Sequence, residues 1–165
     1  MIEANSAFWD FSVGFYAKPG VAAACLELQD KGGADINVVL YLFFLADRGR
    51  RPDREEIARL DAAVAGWREQ VVRPLRTLRR RLKSAAAPFA GEASGRLRDE
   101  IKRNELAAER IQQHTIEWLF PPATFGHAAS SREEAVRASL DAYAGLIGGL
   151  PAEAASCLID IFCRA

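Results

Sequence analysis

Apolar residues recur along the chain at spacings of three and four, and no long run alternates apolar with polar, so the pattern predicts helices almost throughout. Ser6 predicts an N-cap for a first helix reaching about Ala17, with Phe8, Phe11 and Phe15 facing inward. Lys18-Pro19-Gly20 breaks it. A second helix is predicted from Val21 to about Lys31, ended by Gly32-Gly33. Asp35 caps a third, from Ile36 to about Asp47. Its segment INVVLYLFFLA is apolar on nearly every side, which places it at the centre of a bundle; the same β-branched and aromatic content also fits a strand.

Arg48 to Pro52 reads as an exposed turn, and Asp53 and Glu56 come next in capping-box spacing. The fourth helix carries the stripe Ile57, Leu60, Ala63, Val64 and Trp67. Pro74 is expected to kink or interrupt the next helical stretch, with Leu75, Leu78 and Leu82 on the core-facing side. Ala85 to Gly95 is small and weakly patterned and reads as a flexible loop. A long helix is predicted over about Leu97 to Phe120, with the stripe Leu97, Ile101, Ala108, Ile111, Thr115, Trp118 and Leu119. Pro121-Pro122 stops it and Gly126 to Ser130 is a linker. Ser131 with Glu134 caps a helix to about Ile147, and Pro151 opens the last. The fold class is therefore all-α, a bundle of seven or eight helices forming one domain over residues 1–165.

Charge narrows the possible partners. There are 22 basic and 22 acidic side chains, so bulk attraction to a polyanion is excluded. Three cysteines make no disulfide framework and fit reduced thiols in the cytoplasm. No run reaches the roughly 18 apolar residues a membrane helix needs, and the acidic N-terminus shows no signal-peptide pattern.

One stretch, FWDFSVGFYAKPGVAAACLELQDKGGADIN, has a specific pattern. Its marks are Phe8-Trp9, Phe11-Ser12, Tyr16, Pro19-Gly20-Val21, Ala24-Cys25-Leu26, Leu28-Gln29-Asp30, Gly33, Asp35 and Asn37. Further pieces are Trp67, Val71-Val72, Pro74-Leu75-Arg76, Leu78-Arg79, Leu82-Lys83, Glu105-Leu106 and Ala108-Glu109. In these residues, over about 6 to 113, the chain resembles an uncharacterised family of mostly proteobacterial helical proteins known only as a domain of unknown function. Phe43-Phe44 departs from it, standing where a Trp or similar bulk is expected. The resemblance implies a helical cytoplasmic protein and supplies no activity.

Two constellations could carry function. Gln29, Asp30, Asp35 and Asn37 bracket the Gly32-Gly33 turn and could converge on a pocket for a small molecule or cation. Against this, Asp35 is a good N-cap and Asn37 can bond locally. Asp30 lies near a helix C-terminus, where its charge opposes the dipole, so it calls for a compensating partner such as an arginine. A concave, water-accessible cluster would favour a site; a buried one bonded to arginine would favour a structural role. The second constellation is the basic stripe Arg73, Arg76, Arg79, Arg80 and Lys83, with Arg81 on the other side. It could dock an acidic protein; nucleic acid is the weaker option, since no aromatic platform interleaves the charges. The alternative is a solvated face paired with Glu55, Glu56, Glu69, Asp99 or Glu100. Trp9 and Tyr16, seven apart on one helix face, are candidates for an exposed partner-binding edge.

Catalytic and metal motifs are missing. His114 begins a single His-x-x-Glu, the reverse of the bundle di-metal order, and His127 sits in a small-residue loop. The cysteines lack CxxC spacing, and no Walker, GxGxxG or GxSxG pattern occurs. The sequence thus points to a non-enzymatic interaction module without cofactor or metal, docking an acidic protein or nucleoprotein. The alternative is a small-molecule or metal-binding protein or enzyme built on Gln29, Asp30, Asp35 and Asn37.

Overall fold

The computed structural model describes residues 6–85 and 88–164. Among these residues there are eight α-helices. They are α1 (Ala7–Tyr16), α2 (Val21–Gly32), α3 (Ile36–Asp47), α4 (Arg54–Trp67), α5 (Arg73–Lys83), α6 (Glu92–Leu119), α7 (Arg132–Ile147) and α8 (Ala152–Cys163). Strands β1 (Arg50–Arg51) and β2 (His127–Ala128) form one antiparallel bridge, with Arg50 opposite Ala128 and Arg51 opposite His127. No described helix is long and apolar enough to cross a membrane.

Local chemistry sets the boundaries. The Ser6 side chain accepts from the Trp9 N–H, and Asp35 Oδ1 accepts from the Asn37 N–H at 2.9 Å. Asp53 and Glu56 close a reciprocal capping box on α4. Gly33 ends α2 at φ 67°, in the left-handed region that glycine enters at little cost. Helix α3 is buried at every position from Asn37 to Ala46 and packs against α1, α2, α6 and α7. Tyr41, Leu42, Phe43, Phe44 and Leu45 are fully shielded, each burial contributing about 1.5–3 kcal/mol. Phe8, Phe15 and Phe162 pack edge-on or tilted against this helix.

One expectation is refined and three are corrected. The interruption expected around Pro74 is a change of helix type rather than an end to the helix. A π-helical turn over Arg68–Val72 joins α4 to α5 without a break, and the Arg73 N–H donates five residues back to Arg68 O. The widened turn precedes the proline ring, which would clash in a regular helix interior. The expected flexible loop at 85–95 is shorter, because helical geometry begins at Glu92; residues 86–87 lie outside the described residues. The leucines of α5 are not core positions: no α5 residue is buried, Leu75 and Leu82 are half-buried, Leu78 is 46% exposed, and the Arg76 side chain is 18% exposed. The stripe of α6 is also rotated. Its buried positions are Ile101, Glu105, Ala108, Gln112, Gln113 and Ile116, whereas Leu97, Trp118 and Leu119 are exposed. Both errors share a cause: polar side chains are drawn inward, those of α5 by Glu105 and Glu109 and those of α6 also by Asp35 and Asn37, and an apolar-stripe reading assigns such residues to solvent.

Candidate functional site

The polar residues of the α2–α3 turn enter a buried relay. Asp35 Oδ2 accepts from Gln112 Nε2 at 2.6 Å and from an Arg68 guanidinium nitrogen at 3.1 Å. Gln112 Oε1 accepts from Asn37 Nδ2 at 3.0 Å, and Asn37 Oδ1 accepts from Gln113 Nε2 at 2.8 Å. Arg68 also pairs with Asp61 at 2.7 Å, while the Asp35 N–H donates to the Tyr143 hydroxyl. Desolvation opposes the charge on Arg68, and the carboxylates of Asp61 and Asp35 outweigh it, holding the guanidinium above its ordinary range. Asp35 and Asn37 are therefore structural anchors as well as wall residues. Asp30 is different: it is half exposed, Arg80 bonds it at 2.8 Å, and that bond chiefly holds its carboxyl below its usual range.

The α5 stripe turns largely toward α6 and α2. Arg76 bonds Glu105 at 3.1 Å and Glu109 at 2.7 Å. Arg79 reaches both oxygens of Glu105. Arg80 takes Asp30, and Arg73 takes Glu69 at 2.8 Å. Of the expected acidic neighbours only Glu69 is used; Glu105, Glu109 and Asp30 supply the rest. Lys83 stays exposed at the end of α5.

The two constellations meet at one cleft. A cavity of about 510 Å³ lies between α1, α2, α3, α5 and α6, with Trp9, Val13, Tyr16, Leu26 and Leu106 among its lining residues. Val13, Tyr16, Leu26 and Leu106 are all exposed, so an apolar wall opens to solvent. Deeper in, Ser12 and Gln113 are 4% and 3% exposed, and Ser12 Oγ and Gln113 Oε1 have no hydrogen-bond partner. Beside it, a polar cavity of about 220 Å³ is lined by residues including Asp30, Arg68, Arg73, Thr77 and Arg80. Both are bounded by Gln29, Asp35 and Arg76. Every proposed site residue except Lys83 lines one or both.

Glu109 borders the larger cavity, where burial raises its carboxyl above the usual range against the lowering effect of Arg76. Cys25 lines it too, and burial pushes its thiol up to about 12, so no thiolate nucleophile stands ready there. Elsewhere, His127 Nε2 lies 3.5 Å from Asp53 and 3.6 Å from Glu56. Those carboxylates already cap α4, at the helix end where a cation is disfavoured.

Ser12, Glu109 and Gln113 escape a sequence-based reading as site residues. Ser12 and Glu109 do stand among the residues of the family resemblance, which marks no role for them, and Gln113, on the buried face of α6, has no local pattern. The family model described as a protein of unknown function, DUF2390, matches residues 7–116. No curated protein and no solved structure matches the chain.

Proposed function

We propose that this chain, which belongs to the DUF2390 family of proteins of unknown function, is a small-molecule-binding protein whose amphipathic ligand sits in the α1–α2–α6 cleft. The observation that carries this reading is the exposed apolar wall of Val13, Tyr16, Leu26 and Leu106 on a cavity that also takes in the polar side chains of Asn37, Glu105 and Glu109. A volume of about 510 Å³ suits a small organic ligand. The matched segment 7–116 contains every residue lining the two cavities, while α7 and α8 lie outside it. Several residues of the N-terminal resemblance, including Trp9, Ser12, Tyr16, Gln29, Asp35 and Asn37, line the large cavity. Docking of an acidic partner on α5 has less support, because four of its five candidate cations already hold carboxylates within the chain.

The test is a nuclear magnetic resonance titration of the full chain with aliphatic alcohols. Shifts should cluster at the Trp9 indole, Tyr16, Leu26 and Leu106. Leu106→Glu, at a 54% exposed position, should weaken binding at least tenfold while moving Tm by no more than about 2 °C. Shifts scattered over the surface, or centred on Arg80 to Lys83, would overturn the reading.

A further inference from the structure

The smaller cavity has a different chemistry from the cleft beside it. Helix α5 presents Arg73, Arg76, Thr77 and Arg80 to it, positions spaced i, i+3, i+4 and i+7 and so on one helix face. Arg68 lines it too, paired with Asp35. Four guanidiniums therefore stand against two carboxylates, Asp30 and Asp35. The other carboxylates bound to these arginines are Asp61, Glu69, Glu105 and Glu109, and none of them is a lining residue. They hold the guanidiniums in place and leave several N–H groups unused. Among the described residues, Arg73 donates through one terminal nitrogen, to Glu69, and Arg80 through one, to Asp30. Arg76 keeps one terminal nitrogen free of any such bond. The Thr77 hydroxyl adds a further donor.

We infer that this cavity binds the phosphate group of a small phosphate monoester through Arg73, Arg76, Thr77 and Arg80, with Asp30 as an internal competitor for Arg80. The inference goes beyond the reading of the larger cleft and does not depend on it. The two cavities share Gln29, Asp35 and Arg76, but an anion in one needs no occupant in the other. A volume of about 220 Å³ is small for a drug-sized ligand and suits a single charged group. Donors from two turns of α5 approach from different directions, which fits the three terminal oxygens of a phosphate better than the coplanar pair of a carboxylate. Asp30 shows the limit of a carboxylate here, since of the four guanidiniums it bonds Arg80 alone. That pair is half exposed on both sides, so it opens at little cost. The carboxylates that count against a macromolecular partner on α5 act differently on a small anion. They fix Arg73 and Arg76 before the ligand arrives, which lowers the ordering cost of binding. Exposed Asp30 and Glu69 also repel a polyanion.

The experiment is a nuclear magnetic resonance titration of the full chain, followed at the arginine Nε–H signals. The titrants are methyl phosphate, acetate and a single-stranded oligonucleotide at matched ionic strength. Methyl phosphate should shift Arg73, Arg76 and Arg80 to saturation and bind at least about fivefold more tightly than acetate. Arg80→Gln should weaken methyl phosphate about tenfold, the loss of one charged donor. Asp30→Asn should tighten it about threefold or more, because the competitor and its negative charge are gone. Both substitutions break the same half-exposed pair, so an effect arising only from loss of that pair would have one sign in both. Changes of the same sign, or no change in either variant, overturn the proposal. Shifts that never saturate, or a smaller preference over acetate, overturn it as well. An oligonucleotide that binds more tightly than methyl phosphate overturns the small-molecule source of the phosphate.

Discussion

Replacing Asp35 separates structural work from ligand work, because its side chain is 5% exposed and carries three separate contacts. In Asp35→Asn the cap to the Asn37 N–H survives, since asparagine caps as well as aspartate. The other oxygen becomes an amide nitrogen facing two donors, Gln112 Nε2 and Arg68. A hydrogen bond to a charged group contributes about 1.5–3 kcal/mol, and Arg68 keeps Asp61, so the net loss is about 3 kcal/mol. For a chain of 165 residues, a loss of that size lowers Tm by about 6–12 °C. Asp35→Ala also removes the cap, adding about 1 kcal/mol. Asp30→Asn breaks a half-exposed pair with Arg80, worth about 0–1 kcal/mol. Differential scanning calorimetry of the three variants gives the ranking. An Asp35→Asn change within about 0.5 kcal/mol of the parent, or an Asp30→Asn change as large as it, would refute the assignment of Asp35 as the anchor of the relay.

The same geometry yields three further outcomes. Native labelling with a thiol reagent should modify exposed Cys157 and Cys163 readily and spare buried Cys25, whose thiol sits at about 12, until the protein unfolds. Burial holds the Glu109 carboxyl above 4.5, so the folded state binds a proton that the unfolded chain has already released. Stability should therefore fall as pH rises from 4.5 through the raised value, and Glu109→Gln should flatten that part of a urea-midpoint profile; an unchanged slope contradicts it. Gly126→Ala should cost about 1–3 kcal/mol by chemical denaturation, because φ is +77° and the new Cβ would lie 2.9 Å from the backbone of Arg51 and Pro52; a neutral result would mean that the β1–β2 bridge yields easily.

Much of the fold was legible because its signals are local. Asp35, Asp53 and Ser131 each announce a helix start through their own side chains, and Ile36 to Asp47 matches the observed α3 at both ends. Its burial is implied by the absence of any polar face. The orientation of α5 and α6 was not legible, because it depends on partners far away in sequence. Arg76 is drawn inward by Glu105 and Glu109, 29 and 33 residues on. Gln112 belongs to the core only because Asp35 and Asn37, more than 70 residues earlier, bond it there. In the sequence, the candidate residues of the cleft form three unrelated sets: one turn, one basic stripe, and Trp9 with Tyr16 on the first helix. Their convergence around Gln29, Asp35 and Arg76 is a product of tertiary packing.

The π turn at Arg68–Val72 sets the register of all that follows it in the same helical run. Such a turn behaves as one residue added to an otherwise regular helix, and one residue corresponds to about 100° of rotation. Everything beyond it, including Arg76 and Arg79, is re-aimed by that amount relative to the face that α4 turns toward α7. A chain lacking one residue in this stretch would keep α4 intact and swing the arginines of α5 away from Glu105 and Glu109. The count of residues in this one turn thus sets whether the arginines of α5 reach the carboxylates of α6.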